Sequence, residues 1–192
     1  MSKFFAFLNR MKYIKRWSLM RSIREENIME HSHDVAMIAH ALAIINNKFG
    51  GETKADVEKT VLLAQYHEVG EVITGDLPTP IKYFNPEIKT AYKDLEKGAC
   101  EKLLGMLPEE LKEDYKGYIL PDEESYEYKL VKFADRISAY LKCVEEVKCG
   151  NSEFKKAKKT IGEELKKVGN FAVDYYMKNF ATAYELTLDE LD

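Results

Sequence analysis

Cysteine is scarce in this chain, with 3 in 192 residues. Cys100, Cys143 and Cys149 are odd in number and contain no C-x-x-C pair, so no disulfide framework can be read and they suit ordinary thiols in a reducing compartment. Long apolar runs are also missing. Phe4, Phe5, Phe7 and Leu8 give way to charge from Asn9-Arg10 onward, and no small-residue cleavage site follows. Neither a signal peptide nor a membrane span is expected, and the location expected is cytoplasmic. Charge is not of one sign: 29 Lys and Arg face 33 Asp and Glu, a formal net charge of −4. That balance gives no general reason to expect a nucleic-acid polymer or a membrane surface as partner.

Several chemical signatures are absent. Gly50-Gly51-Glu52-Thr53-Lys54 lacks the spacing of a P-loop, and there is no G-x-S-x-G elbow and no Rossmann glycine pattern. His67-Glu68-Val69-Gly70-Glu71 begins like the zinc-protease H-E-x-x-H but lacks the second histidine. Internal repeats, a Ser/Pro-rich linker and strand-like alternation are absent too.

What remains is a strongly helical pattern. Hydrophobic residues make up 45% of the chain, with 12 Tyr and 9 Phe, enough for a substantial core. The length suits one all-α domain over residues 1–192. A short amphipathic helix is expected over 3–13. A second begins at Asn27, where Asn27-x-x-Glu30 resembles a capping box, and runs to Gly50-Gly51. A third spans 54–72 and gives way to the loop Thr74 to Pro80. Asn85-Pro86-Glu87 opens a helix reaching about Met106, and Pro108 opens a short one. Asp122-Glu123-Glu124 starts another long helix ending near Gly150. The last helical region, 152–186, is interrupted at Gly169-Asn170. Lys155-Lys156 and Lys158-Lys159 form a solvated face.

Helical phase singles out a few polar residues. At ~100° per residue, His31 shares a stripe with Val35, Ile38, Leu42 and Ile45, whereas His33 and His40 fall on the opposite side. On the third helix Val57, Val61, Ala64, Glu68 and Glu71 share a face, with His67 at its edge, one turn before Glu71. Two inward acids repel unless something positive lies between them. Asp135 lies beside Val131, Ser138 and Ala139, small enough to let another helix approach. Each of these residues alone reads as a satisfied core polar group. Together, two imidazoles and two carboxylates in a helical core are costly unless compensated, and a divalent cation compensates them. A mixed nitrogen and oxygen set suits a transition metal such as Mn, Co, Fe or Zn better than Mg or Ca.

The stations Arg16-Trp17-x-x-Met20-Arg21, Glu26-Asn27-x-x-Glu30-His31-Ser32, Tyr66-His67-Glu68, Glu71, Thr74-Gly75-Asp76-Leu77-Pro78-Thr79-Pro80 with Lys82-Tyr83-Phe84-Asn85, and Ala134-Asp135 with Ala139-Tyr140-Leu141-Lys142-Cys143 cover nearly the whole chain. In these the chain resembles the HD-domain phosphohydrolases, specifically the bacterial 5′-deoxynucleotidases that cleave deoxynucleoside monophosphates. The resemblance implies a helical HD bundle with a metal site in its core, ligated by His31, His67, Glu68 and Asp135. It implies one divalent transition metal ion, Co or Mn, with Zn, Fe or Cu as alternatives, and a homodimer. Substrate contacts are assigned to Arg16, Trp17 and the loop Asp76, Leu77, Pro78 and Thr79, beside Glu68 and Asp135 at the metal. Glu71 matches the acid placed beside the metal for catalysis.

The chemistry expected is phosphomonoester hydrolysis by water on or near the metal, with Glu71 in proton transfer and Asp76 near the leaving 5′ oxygen. Arg16 orients the phosphate, and Trp17 packs near the sugar, leaving no room for a 2′ hydroxyl. Composition alone would read Trp17 as a core aromatic and Asp76 as a turn residue. The chain departs from the family at residue 68, where the family carries Asp. Glu keeps the charge but adds a methylene, so the metal is retained with altered geometry, its preference or affinity changes, or catalysis is lost. A nucleotide-sensing protein without turnover and an HD phosphohydrolase with another nucleotide substrate are the alternative readings, and retention of the metal is favoured.

Overall fold

The computed structural model describes residues 1–50, 53–82 and 84–192. Gly51, Glu52 and Tyr83, which belong to segments read above, lie outside the described residues. Among the described residues the elements are helical, and the sole strand-like pairing is an isolated antiparallel bridge between Lys15 and Asn27. The chain opens with α1 (Phe4–Leu8) and a 3-10 turn over Asn9–Tyr13, together filling the expected 3–13 segment.

Side-chain caps set the longer boundaries. Asn27 starts α2 (Ile28–Phe49) by accepting from the backbone N–H groups of Met29 and Glu30, both at 3.0 Å. Asn85 and Pro86 start α6 (Pro86–Leu104) as expected, with Asn85 accepting from the Ile88 N–H at 2.7 Å. A short helix, α7 (Lys112–Ile119), follows a 3-10 turn after Pro108. Helix α8 (Tyr126–Lys148) starts later than the acidic run suggested. Ser125 is its cap, and Asp122 instead closes the turn before it by accepting from the Glu124 N–H at 3.0 Å. After α9 (Lys155–Lys167) the chain turns through Gly169, at φ +65°, into α10 (Phe171–Asn179), whose cap is Asn170.

The expected 54–72 helix is divided in two. Helix α3 (Val57–Tyr66) ends just before His67, and α4 (Glu71–Thr74) resumes after a tight turn. In that turn the bonds are of i→i+3 type, Val69 N–H to Tyr66 O at 3.2 Å and Glu71 N–H to Glu68 O at 3.0 Å. Gly70 is where α6 presses in: a Cβ there would sit 3.0 Å from Cys100 Sγ and 3.4 Å from the Glu96 carbonyl oxygen. The loop read over Thr74 to Pro80 also contains a helical turn, α5 (Thr79–Lys82), because proline at the second position suits a helix start.

Helices α2, α3 and α8 pack on one another and, with α9 and α10, enclose one apolar cluster that includes Val35, Leu42, Leu63, Leu130, Ile137 and Phe154. A second cluster joins Phe4, Met11, Ile28, Val69, Leu103 and Ile119. His31 and Glu68 lie on the seam, within a turn of Ile28 and Val69. Cys100, Cys143 and Cys149 are free thiols, and burial pushes the first two up to about 11 and about 12. Among the described residues no helix is long and apolar enough to cross a membrane.

Candidate metal centre

Helix α2 buries His31 completely, while His33 and His40 are exposed, as the phase of the helix required. One ligand-type atom from each of His31, His67, Glu68 and Asp135 lies within 4.8 Å of the others. His31 Nε2 is 3.0 Å from Asp135 Oδ1 and 3.5 Å from Glu68 Oε1, and His67 Nε2 is 3.8 Å from Glu68 Oε1. The break after Tyr66 brings both residues of the His67-Glu68 pair to one point. It also lets Glu68 reach the group despite its extra methylene.

The hydrogen bonds around this group suit a cation. His67 Nδ1 donates to the Ala64 carbonyl at 2.7 Å, which leaves the lone pair on Nε2. That Nε2 is buried and has no hydrogen-bond partner, and neither has Glu68 Oε2. Ser138 Oγ lies 3.2 Å from His31 Nδ1 and fixes the second ring. Ser138 thus does more than its small size in the sequence suggests. Burial lowers the His67 pKa, favouring the neutral, ligating imidazole. Against the penalty of burial, the hydrogen bond from His31 and the charge of Arg16 hold the Asp135 carboxyl well below the usual range. Against the same penalty, His31 and the Arg16 guanidinium lower Glu68. Two imidazoles, two ionised carboxylates and two orphaned donor atoms therefore fit a divalent transition ion.

Arg16 reaches the group, with Trp17 next to it, on a strap that pairs with the residues opening α2. The strap is tied by Arg16 N–H to Glu26 O at 2.9 Å and by Ile28 N–H to Ile14 O at 3.0 Å. Arg16 Nη1 is 3.3 Å from Glu68 Oε1, and its Nε is 3.3 Å from Glu26 Oε2. Trp17 Nε1 donates to that same Glu26 oxygen at 3.1 Å, and its ring packs 5.3 Å from Phe154. Trp17 is therefore partly a core aromatic, yet its backbone has φ +56°. A tryptophan held there costs roughly 1–3 kcal/mol, a strain typical of functional positions. Glu26, which organises both residues, has no periodic signal in the sequence.

A buried ion pair anchors the far end of the strap. Glu146 Oε1 accepts from Lys142 Nζ at 2.6 Å, and Glu146 also accepts from the Ile23 N–H at 2.9 Å and Asn151 Nδ2 at 2.8 Å. Lys142 Nζ donates to the Arg24 carbonyl at 2.5 Å.

Glu71 is buried, with Oε2 unpartnered. Burial, with the Glu68 and Asp76 carboxylates nearby, pushes its carboxyl up to about 10. A cation among those acids would draw it back toward the carboxylate range. Burial also raises Asp76, which is half-buried and feels the charges of Arg16 and Glu68. Leu77 and Pro78 are half-buried and Thr79 is exposed. The Tyr92 hydroxyl donates to the Gly75 carbonyl at 3.0 Å and holds this loop against α6.

A cavity of about 930 Å³ opens beside the group, walled by His67, Glu68, Glu71 and Asp135 together with Tyr66, Tyr118, Tyr128 and Phe133. Arg16, Trp17 and residues 76–79 are not among its wall residues. Of the substrate residues that the resemblance implies, Glu68 and Asp135 line the cavity.

Comparison with known proteins fits this arrangement. A family profile described as "5′-deoxynucleotidase YfbR-like" matches residues 3–184. The 5′-deoxynucleotidase of Vibrio vulnificus is 52% identical over 192 residues, covering 99% of this chain and 98% of its own. Among solved structures, an HD-domain phosphohydrolase from Listeria innocua superposes with TM-score 0.82 at 19% identity, covering 95% of this chain and 88% of its own. The HD phosphohydrolase of cyanophage S-2L, bound to dA and one catalytic Zn2+ ion, superposes with TM-score 0.66 at 20% identity, covering 95% and 96%. These two structures establish the helical HD fold.

Proposed function

This chain belongs to the YfbR-like 5′-deoxynucleotidase family, and from that premise we propose that it is a metal-dependent phosphohydrolase converting deoxynucleoside 5′-monophosphates to deoxynucleoside and phosphate. The observation that carries the reading is the convergence of His31, His67, Glu68 and Asp135 within 4.8 Å. These four would hold one divalent transition ion, Co or Mn in the first place, with Zn, Fe or Cu as alternatives. Zinc is the catalytic ion of the cyanophage enzyme. Bound there, such an ion polarises a phosphoryl oxygen and lowers the pKa of water to ~7.

The remaining roles fall to side chains around that set. Arg16, charged and half-buried between Glu26 and Glu68, orients the phosphate. Glu71 takes the proton of the attacking water. As the water oxygen bonds to phosphorus, the P–O5′ bond breaks, and Asp76 gives the leaving oxygen its proton. Trp17 stands against the sugar and excludes a 2′ hydroxyl, and the loop Leu77, Pro78 and Thr79 closes on the nucleoside. Glu68 acts as a ligand in place of the family's Asp, because its longer side chain starts from the turn after α3 and still meets His31 and His67. Residues 1–192 act as one domain, in the cytoplasm and as a homodimer, which sedimentation would check.

The test is phosphate release from a panel of deoxynucleoside and ribonucleoside monophosphates, with protein stripped by chelator and reloaded with each metal. Release from deoxynucleotides that disappears on stripping and returns with Co or Mn is the expected result. No release with any metal would overturn the reading.

A further inference from the structure

The cavity beside the donor group has six lysines in its walls, and three of them are paired with carboxylates. Lys82 pairs with Glu96 at 2.8 Å, Lys93 with Glu123 at 3.1 Å and Lys129 with Glu124 at 3.3 Å. Lys132 is set apart by its place beside a residue of the donor group. It is exposed, it lines the same cavity, and it precedes Asp135 by three residues, so both project from one side of α8. Its Nζ lies over the Tyr128 ring, 5.3 Å from the centroid; among the described residues no carboxylate oxygen lies within 4.0 Å of it, and Asp135 and Glu68 attract it from farther off. The ring holds the ammonium in place without cancelling its charge.

The substrate needs such a cation. A phosphate monoester near neutral pH carries between one and two negative charges, roughly −1.5 to −2. Arg16 shares its single charge with Glu26 and Glu68 and does not line the cavity. On the basis of the hydrolase reading above, we infer that Lys132 is a substrate-anchoring residue, binding the phosphate from the cavity side while Arg16 binds it from the strap. The cavity is then the route by which the nucleotide enters, and its tyrosines and Phe133 offer flat faces to the base. A lysine suits this place better than a second arginine fork, because a mobile point charge can follow an anion moving in from solvent.

The test compares the protein as it stands with Lys132→Met and Lys132→Arg, all metal-loaded. Calorimetry measures binding of inorganic phosphate and, separately, of deoxyadenosine, which lacks the phosphate. Steady-state assays measure KM and kcat for deoxyadenosine 5′-monophosphate. Lys132→Met is expected to weaken phosphate binding and raise KM by about tenfold, the scale of one charge-assisted contact at a solvated site. Its kcat should stay within about threefold and its deoxyadenosine affinity should not change. Lys132→Arg should restore most of the loss. Phosphate binding unchanged in Lys132→Met, or weakened in step with deoxyadenosine binding, would overturn the assignment. Calorimetry reads this without turnover, so an inactive parent protein would defeat the hydrolase reading while phosphate binding still judged Lys132.

Discussion

Replacing Glu146 with Gln should loosen the strap that carries Arg16 and Trp17. The carboxylate is 2% exposed and accepts from Lys142, Ile23, Arg24 and Asn151. Against the penalty of burial, those contacts hold its carboxyl at about 2, where 4.5 is ordinary. At ~1.4 kcal/mol per pKa unit, the ionised form contributes about 3 kcal/mol to stability at pH 7. Gln keeps the shape but leaves Lys142 buried with an uncompensated charge, a loss of the same order. The sign with pH is fixed. A carboxyl depressed on folding contributes fully above its unfolded value and progressively less as pH falls toward about 2. Urea denaturation of both proteins should therefore show a gap of about 3 kcal/mol at pH 7, narrowing to about 2 kcal/mol at pH 3.5. Activity at pH 7 should show a higher KM, because Arg16 and Trp17 are less well fixed. An equal gap at both pH values, or a gap below about 1 kcal/mol at pH 7, would refute the assignment of the pair as the strap's anchor.

Three further outcomes are expected. Glu71→Gln should lower kcat by roughly 10²–10⁴-fold, while elemental analysis finds its metal content unchanged. Ser138→Ala removes the partner of His31 Nδ1 and should weaken metal affinity by roughly 10–100-fold, read by competition with a chelator. Glu68→Asp should keep turnover within about tenfold of the parent in the phosphate-release assay. Activity appearing only in Glu68→Asp would instead mark the parent as a nucleotide sensor.

Periodicity revealed the parts of the site that lie on long helices. His31 is buried and its neighbours His33 and His40 are exposed because α2 is regular over 22 residues, and Asp135 faces inward for the same reason on α8. Caps at Asn27 and Asn85 are local hydrogen-bond chemistry, legible from residue type alone, whereas at Asn170 only an interruption was legible. The break after Tyr66 was not legible, since the apolar stripe continues across it and the deciding contact, Gly70 against Cys100, comes from a distant helix. The roles of Glu26, Ser138 and Lys142, residues the sequence does single out, were not legible for a related reason. Their importance lies in partners far along the chain, and the sequence records no such pairing. Arg16 and Trp17 were placed by resemblance, and their strap shows no period to read.

The donor group also fixes an order of events. His31, His67 and Glu68 leave the ribosome early, but Asp135 follows only after α6, α7 and the first half of α8 have been made. A nascent chain or a proteolytic fragment lacking α8 presents an incomplete set and should release an ion readily. Tight capture is thus reserved for a chain whose central helices have already met, and the ion then ties its later half to its earlier one.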